Sequence, residues 1–103
     1  MRIELLYFDG CPNHDELLPH LEQLLTETGH SDEITLVRIE TSEQAEADRF
    51  LGSPTLRING VDVDPTAAER DDYGMKCRLY RTEEGLRGTP PDEWILSVLS
   101  AQR

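Results

Sequence analysis

The residues best suited to chemistry are Cys11, His14 and Cys77. Cys11 lies in Phe8-Asp9-Gly10-Cys11-Pro12-Asn13-His14, between an apolar run, Ile3 to Phe8, and an apolar-periodic run from Leu17 to Leu25. The pattern predicts a strand feeding a tight turn, with a helix beginning just after the cysteine. The first N–H groups of a helix have no partner within it, and the aligned peptide dipoles leave partial positive charge there. A cysteine at that point has its thiolate stabilised, and the thiolate is the form that attacks disulfides and binds soft metals. A small buried cysteine beside a turn would give the same local pattern. His14, one helical turn on, could hydrogen-bond the thiolate or act as acid or base in thiol exchange. A plain surface histidine of a first turn fits there too. Cys11, His14 and Cys77 also make a soft-ligand set for zinc, copper or mercury. Cys-x-x-His, however, lacks the second close-spaced ligand pair of a stable zinc site. His20 and His30 fall on polar sides and read as solvated. Glu69, Asp71 and Asp72, interrupted by Arg70, read as surface. Arg78, Arg81 and Arg87 read as surface charges, one of which could hold an anion such as a glutathione carboxylate.

The elements that must position these residues come from the rest of the chain. Its 103 residues fit one domain with a modest core. With 21 acidic against 10 basic residues the formal charge is −11. Such a surface repels phosphate, so nucleic acid is not an expected partner. No apolar run reaches the roughly 20 residues that span a bilayer, so no membrane partner is expected either. The N-terminus lacks the apolar core and cleavage site of a secretory signal, and a cytoplasmic location with reduced thiols is the expectation. Two cysteines are too few for a disulfide scaffold; a Cys11–Cys77 bond would be redox chemistry rather than a staple.

Ile3 to Phe8 predicts a buried strand. Leu17, Leu18, Leu21, Leu24 and Leu25 predict a helix that ends at Gly29 as its C′ residue. Pro19 interrupts it, leaving the Asp15 carbonyl without its partner and predicting a kink there. Ile34 to Ile39 predicts a second strand. Thr41 and Gln44 form a capping-box pattern for a short helix, with Ala45, Ala47, Phe50 and Leu51 on its apolar side and Gly52 as its stop. Thr55 to Ile58 predicts a third strand. Asn59-Gly60 turns it into Val61 to Asp64, pairing Ile58 with Val61 and hence Thr55 with Asp64. Pro65 to Asp72 reads as loop or a single helical turn, Met75 to Tyr80 as an additional strand, and Glu84-Gly85 as a turn. Thr89 as N-cap and Pro90 at the first helical position predict a last amphipathic helix carrying Trp94, Ile95, Val98 and Leu99. The order βαβα-ββ-insert-α gives an α/β domain: a mixed four-stranded sheet flanked by helices, with residues 65–88 as an insert before the last helix.

This order, with a cysteine at the first strand-to-helix turn and Ser53-Pro54-Thr55 entering the third strand, resembles the thioredoxin superfamily over most of the chain. Cys11 matches the family's nucleophilic cysteine, Pro19 the proline of its active-site helix, and Pro54 its cis-proline. The resemblance implies a thioredoxin-like fold over residues 1–103. It also implies that Pro12, Ser53, Pro54 and Thr55 meet a substrate beside the sulfur. There are departures. His14 replaces the second cysteine of Cys-x-x-Cys, Gly10 replaces a frequent tryptophan, and the buried acid of the first strand would fall near Leu5. A dithiol cycle within the motif is thereby excluded, and monothiol glutaredoxin-like relatives are the better match at this point.

With the hairpin register above, the chain leaves the fourth strand beside Pro54, so the insert can fold back over Cys11. Cys77 is then a candidate resolving thiol; the competing expectation is a core cysteine on a strand with Met75 and Leu79 on its side. The resulting function is thiol–disulfide exchange or redox sensing on a thiol or disulfide partner, with no cofactor called for. The alternatives are a thiophilic-metal protein, in keeping with the resemblance of such small proteins to ones labelled mercury-resistance or alkylmercury-lyase-like, and a non-catalytic interaction module.

Overall fold

A computed structural model describes residues 1–101. The strands are β1 (Ile3–Tyr7), β2 (Ile34–Arg38), β3 (Thr55–Ile58) and β4 (Val61–Asp62), and the helices α1 (Asn13–Glu27), α2 (Ser42–Ala47) and α3 (Asp92–Ala101). The four strands form one mixed sheet in the order β2-β1-β3-β4. β1 and β2 run parallel, as a strand–helix–strand crossover requires, whereas β3 and β4 are antiparallel to their neighbours.

Side-chain alternation along β1 divides the core. Ile3 and Leu5 face one way, packing with Leu17, Leu21, Leu24 and Leu25 of α1, Leu56 and Ile58 of β3, and Ile95 and Leu99 of α3. Leu6 faces the other way, onto Ile39, Ala45 and Phe50. Helices therefore cover both faces of the sheet.

The local signals account for most boundaries. α1 runs through Pro19 and ends in a Schellman motif: His30 N–H donates to Leu25 O (2.8 Å) and Gly29 N–H to Thr26 O (3.2 Å), with Gly29 at φ +80°. The Thr41 hydroxyl accepts from Gln44 N–H at 3.0 Å, and the Gln44 side chain accepts from Glu40 N–H at 3.0 Å. Asn59 and Gly60 adopt φ +52° and +82°, as a two-residue hairpin turn needs, and Ile58 pairs with Val61.

Three boundaries differ from expectation. β4 ends at Asp62 rather than Asp64, so the register stops at Arg57–Asp62 and the expected Thr55–Asp64 pair does not form. α2 stops at Ala47 rather than near Gly52, because Arg49 takes the left-handed conformation at φ +54° and Phe50 N–H returns to Ala45 O (2.8 Å). Arg57 closes that end by donating to the carbonyls of Asp48 (2.7 Å) and Arg49 (3.0 Å). α3 begins at Asp92 and not after Thr89; the Pro91 carbonyl accepts from Trp94 N–H (3.1 Å). In the insert, Ala67–Glu69 is one 3-10 turn, and the strand expected over Met75 to Tyr80 forms later, as a hairpin of β5 (Tyr80–Thr82) and β6 (Gly85–Arg87). No helix among the described residues is long and apolar enough to cross a membrane.

Leu21 is fully buried and Leu36, on the edge strand, is 49% exposed. Leu21→Ala is expected to cost about 2–5 kcal/mol, and Leu36→Ala less than about 1 kcal/mol, in urea unfolding. Equal midpoint shifts would contradict this packing.

Candidate functional site

Cys11 sits where β1 hands over to α1, one residue before the Pro12 N-cap. Its side chain has no solvent exposure, and its thiol donates to the Ser53 carbonyl at 3.5 Å. The Ser53–Pro54 peptide is cis, and Ser53, Pro54 and Thr55 are all buried against this turn at the start of β3. Thr55 Oγ1 donates to Gly52 O (2.6 Å), which closes the loop on itself.

His14 does not bond the sulfur. A carbonyl can only accept, so the 2.7 Å contact of His14 Nδ1 with Cys11 O places the proton on Nδ1. The ring stacks on Tyr7 at 4.4 Å between centroids, and Nε2 lies 3.3 Å from Asp15 Oδ1. His14 thus fixes the Cys11 backbone. The zinc, copper or mercury set of Cys11, His14 and Cys77 loses its nitrogen, and among the described residues no group of three or more His, Cys, Asp or Glu side chains is placed to hold an ion.

What the insert does instead is cover Cys11. Ser53 N–H donates to Lys76 O (2.8 Å) and Arg78 N–H donates to Ser53 O (2.9 Å), so Cys77 lies in a parallel bridge directly opposite Ser53. Gly74 N–H adds a bond to Phe50 O at 3.0 Å. The approach is close: a Cβ at Gly52 would stand 2.9 Å from Lys76 O and from Arg78 Cβ, and Gly52 takes φ +127°. Both backbone hydrogen-bonding groups of Ser53, expected to meet a substrate, are taken by the chain itself.

The bridge puts the Cys77 thiol beside the Cys11 sulfur. A hydrogen bond to Cys11, followed by partial burial and the Cys11 charge, holds the Cys77 pKa above its ordinary value. Both cysteines are free, Cys11 buried and Cys77 exposed. Met75 and Leu79 are also exposed, which overturns the expectation of a core cysteine flanked by apolar neighbours.

Arg78 corrects the reading of surface charges most sharply, for its side chain is fully buried. It donates to Asp62 through Nη1 (2.8 Å) and Nη2 (3.1 Å), to Asp64 Oδ2 (3.3 Å) and to Thr55 Oγ1 (3.1 Å). Its guanidinium lies 4.5 Å from the centroid of the Tyr80 ring. Burial pushes the Tyr80 phenol far above its ordinary pKa, so it stays protonated and donates to Pro54 O. Arg81 and Arg87 are exposed, the latter paired with Glu84. His30 is also less solvated than expected: its side chain is 13% exposed and lies 3.7 Å from Asp32, whereas His20, 47% exposed, bonds Asp92 at 2.6 Å.

Sequence reasoning missed Arg78, although a signal existed. Asp62 and Asp64 alternate in the stretch expected as the fourth strand, which would put both carboxylates on one face and call for a cation there. No protein-family model, curated protein or solved structure matches this chain.

Arg78→Ala removes the guanidinium shared by Asp62 and the buried Asp64 and is expected to cost about 3 kcal/mol, against about 0.5 kcal/mol for Arg81→Ala, by chemical denaturation. Equal losses would mean that the network does not anchor the insert. The pH profile of iodoacetamide labelling gives a second check. Cys77 should label with a midpoint above the ordinary thiol value of about 8.5, and Cys11→Ala should bring it down. A thiol raised in the folded protein contributes stability that is present at neutral pH and lost as pH rises through the folded value. An unchanged midpoint in Cys11→Ala would remove the sulfur–sulfur hydrogen bond.

Proposed function

We propose that this chain is a thioredoxin-like protein of thiol–disulfide exchange, with Cys11 and Cys77 as its redox pair. The observation that carries the reading is that both cysteines meet at Ser53: its carbonyl accepts from the Cys11 thiol at 3.5 Å, and Cys77 lies opposite it in the bridge. Two neighbouring thiols can exchange two electrons with an external disulfide and store the result as one internal bond. The thioredoxin-like part of the reading is supported by a parallel β1–β2 pair joined through a helix that begins at the cysteine, and by an antiparallel hairpin that begins just after a proline in cis. Residue 14 is not a cysteine, so the second sulfur comes from the insert instead of the next helical turn.

The other residues take supporting roles. His14 and Pro12 fix the turn that carries Cys11. Ser53 presents both backbone groups to the Cys77 segment, and Thr55 links that loop to Arg78. The non-catalytic alternative would dock a partner on the Ser53–Pro54 edge, which the chain's own residues 76–78 fill. The soft-metal alternative retains only two sulfurs.

The test is equilibration in a glutathione redox buffer, followed by alkylation and peptide mapping by mass spectrometry. A Cys11–Cys77 disulfide should form in the native protein and be absent from Cys11→Ser and Cys77→Ser. Cys77 remaining free while Cys11 is fully oxidised to a mixed disulfide or an oxyacid would overturn the redox pair.

A further inference from the structure

Resting on that redox pair, we infer that the thiol which meets the external disulfide is Cys77, and that Cys11 is the resolving thiol. This is the reverse of the order implied by the position of Cys11 at the head of α1.

Access decides the matter: the raised Cys77 pKa lowers its thiolate fraction and slows the attack, whereas burial denies Cys11 the encounter altogether. Cys11 has no solvent exposure, and Cys77 is exposed. For a disulfide to reach Cys11 first, the segment over it would have to leave. That segment is held by the bonds from Ser53 N–H to Lys76 O (2.8 Å), from Arg78 N–H to Ser53 O (2.9 Å) and from Gly74 N–H to Phe50 O (3.0 Å). It is held again by the buried fork of Arg78 on Asp62 and Asp64. Lys76 adds a tie to Asp72 at 2.7 Å, and Asp72 is itself paired with Arg70 at 2.7 Å. Removing the segment would break all of these together and strip Asp62 and Asp64 of the Arg78 guanidinium. Attack through Cys77 needs none of them to break. Met75 and Leu79, each two residues from Cys77, are exposed as Cys77 is and give an incoming disulfide apolar surface nearby.

The steps balance. Cys77 thiolate attacks one sulfur of an external disulfide RSSR, forming Cys77–S–S–R and releasing RS⁻, which takes up the proton Cys77 gave up. Cys11 thiolate then attacks the Cys77 sulfur, forming Cys11–S–S–Cys77 and releasing the second RS⁻, which takes up the proton from Cys11. The external disulfide is reduced by two electrons to two thiols, and the protein is oxidised by two electrons to one disulfide. An external dithiol returns the protein to its starting state by the reverse steps.

The second step is local, because the Cys11 thiol bonds the carbonyl of Ser53 and Cys77 lies directly opposite Ser53 in the bridge. Burial then has a use: Cys11 reacts only with what Cys77 brings to it.

The experiment uses 2-hydroxyethyl disulfide as probe, with the full-length protein and its Cys11→Ser and Cys77→Ser variants, each first checked for native circular dichroism. Cys11→Ser is expected to accumulate a mixed disulfide on Cys77. Cys77→Ser is expected to react at least about tenfold more slowly than the native protein's first step. The native protein, quenched early with acid, should carry any mixed disulfide on Cys77. A native-rate mixed disulfide on Cys11 in Cys77→Ser, or an early native adduct on Cys11, would overturn the order while leaving the redox pair standing. If a variant does not fold, the early quench of the native protein decides alone. No internal disulfide in the native protein under any quench would instead overturn the pair itself, and the order with it.

Discussion

The sulfur site depends on where Ser53 places its two backbone hydrogen bonds. Ser53 is fully buried, and a buried peptide that leaves its N–H and C=O unpaired costs free energy comparable to a lost hydrogen bond for each. Lys76 and Arg78 satisfy both groups, and the residue between them is Cys77. In a parallel bridge the middle residue bonds nothing on that side and simply faces its opposite number. One backbone constraint thus brings together two cysteines that lie far apart in the chain.

That bridge is short, and a pair of hydrogen bonds would not hold a loop segment by themselves. Arg78 supplies the anchor. Its guanidinium is bonded by Asp62 and Asp64, with Thr55 Oγ1 and the Tyr80 ring around it, and this ties the insert to β3 and β4 at the point where Cys77 must sit. A buried ion pair of this kind adds less net stability than its Coulomb attraction suggests, because both ions lose their hydration. An apolar residue of similar volume could fill the space. It would not fix direction as the planar fork does, which accepts carboxylates in one orientation. Two of the acids that give the chain its charge of −11 are therefore structural, not part of a solvated surface.

The sheet and helices were legible because their signals are local. Apolar residues at helical spacing in α1, the Thr41–Gln44 cap, Gly29 at a left-handed C′ position and Asn59-Gly60 at a hairpin turn each need only neighbours in sequence. The end of α2 was not legible, since Arg49 adopts a conformation that nothing in its own side chain favours. The insert was misread in extent and in phase: of residues 75 to 79 only Cys77 makes a bridge, to Ser53, and the regular strand begins at Tyr80. Alternation over residues 75 to 80 suggested Met75, Cys77 and Leu79 inside; in the structure Arg78 and Tyr80 are inside and the apolar set faces out. A period of two fixes which residues share a face but not which face is buried. Here two carboxylates, Asp62 in β4 and Asp64 just after it, decided it, and hydrophobicity alone pointed the wrong way. Of the site itself, the two cysteines and the Ser53–Pro54 loop could be named from sequence. The turning of His14 to a carbonyl and the burial of Cys11 beneath the insert needed the fold.

The most direct measurement is a redox titration followed by the Cβ carbon resonances of both cysteines in the native protein. If the two sulfurs are one couple, both resonances move from reduced to oxidised positions at a single midpoint with a two-electron slope. Separate midpoints, or a shift at one cysteine while the other stays reduced, would mean that the sulfurs act independently, and the contact built around Ser53 would then have no chemical role.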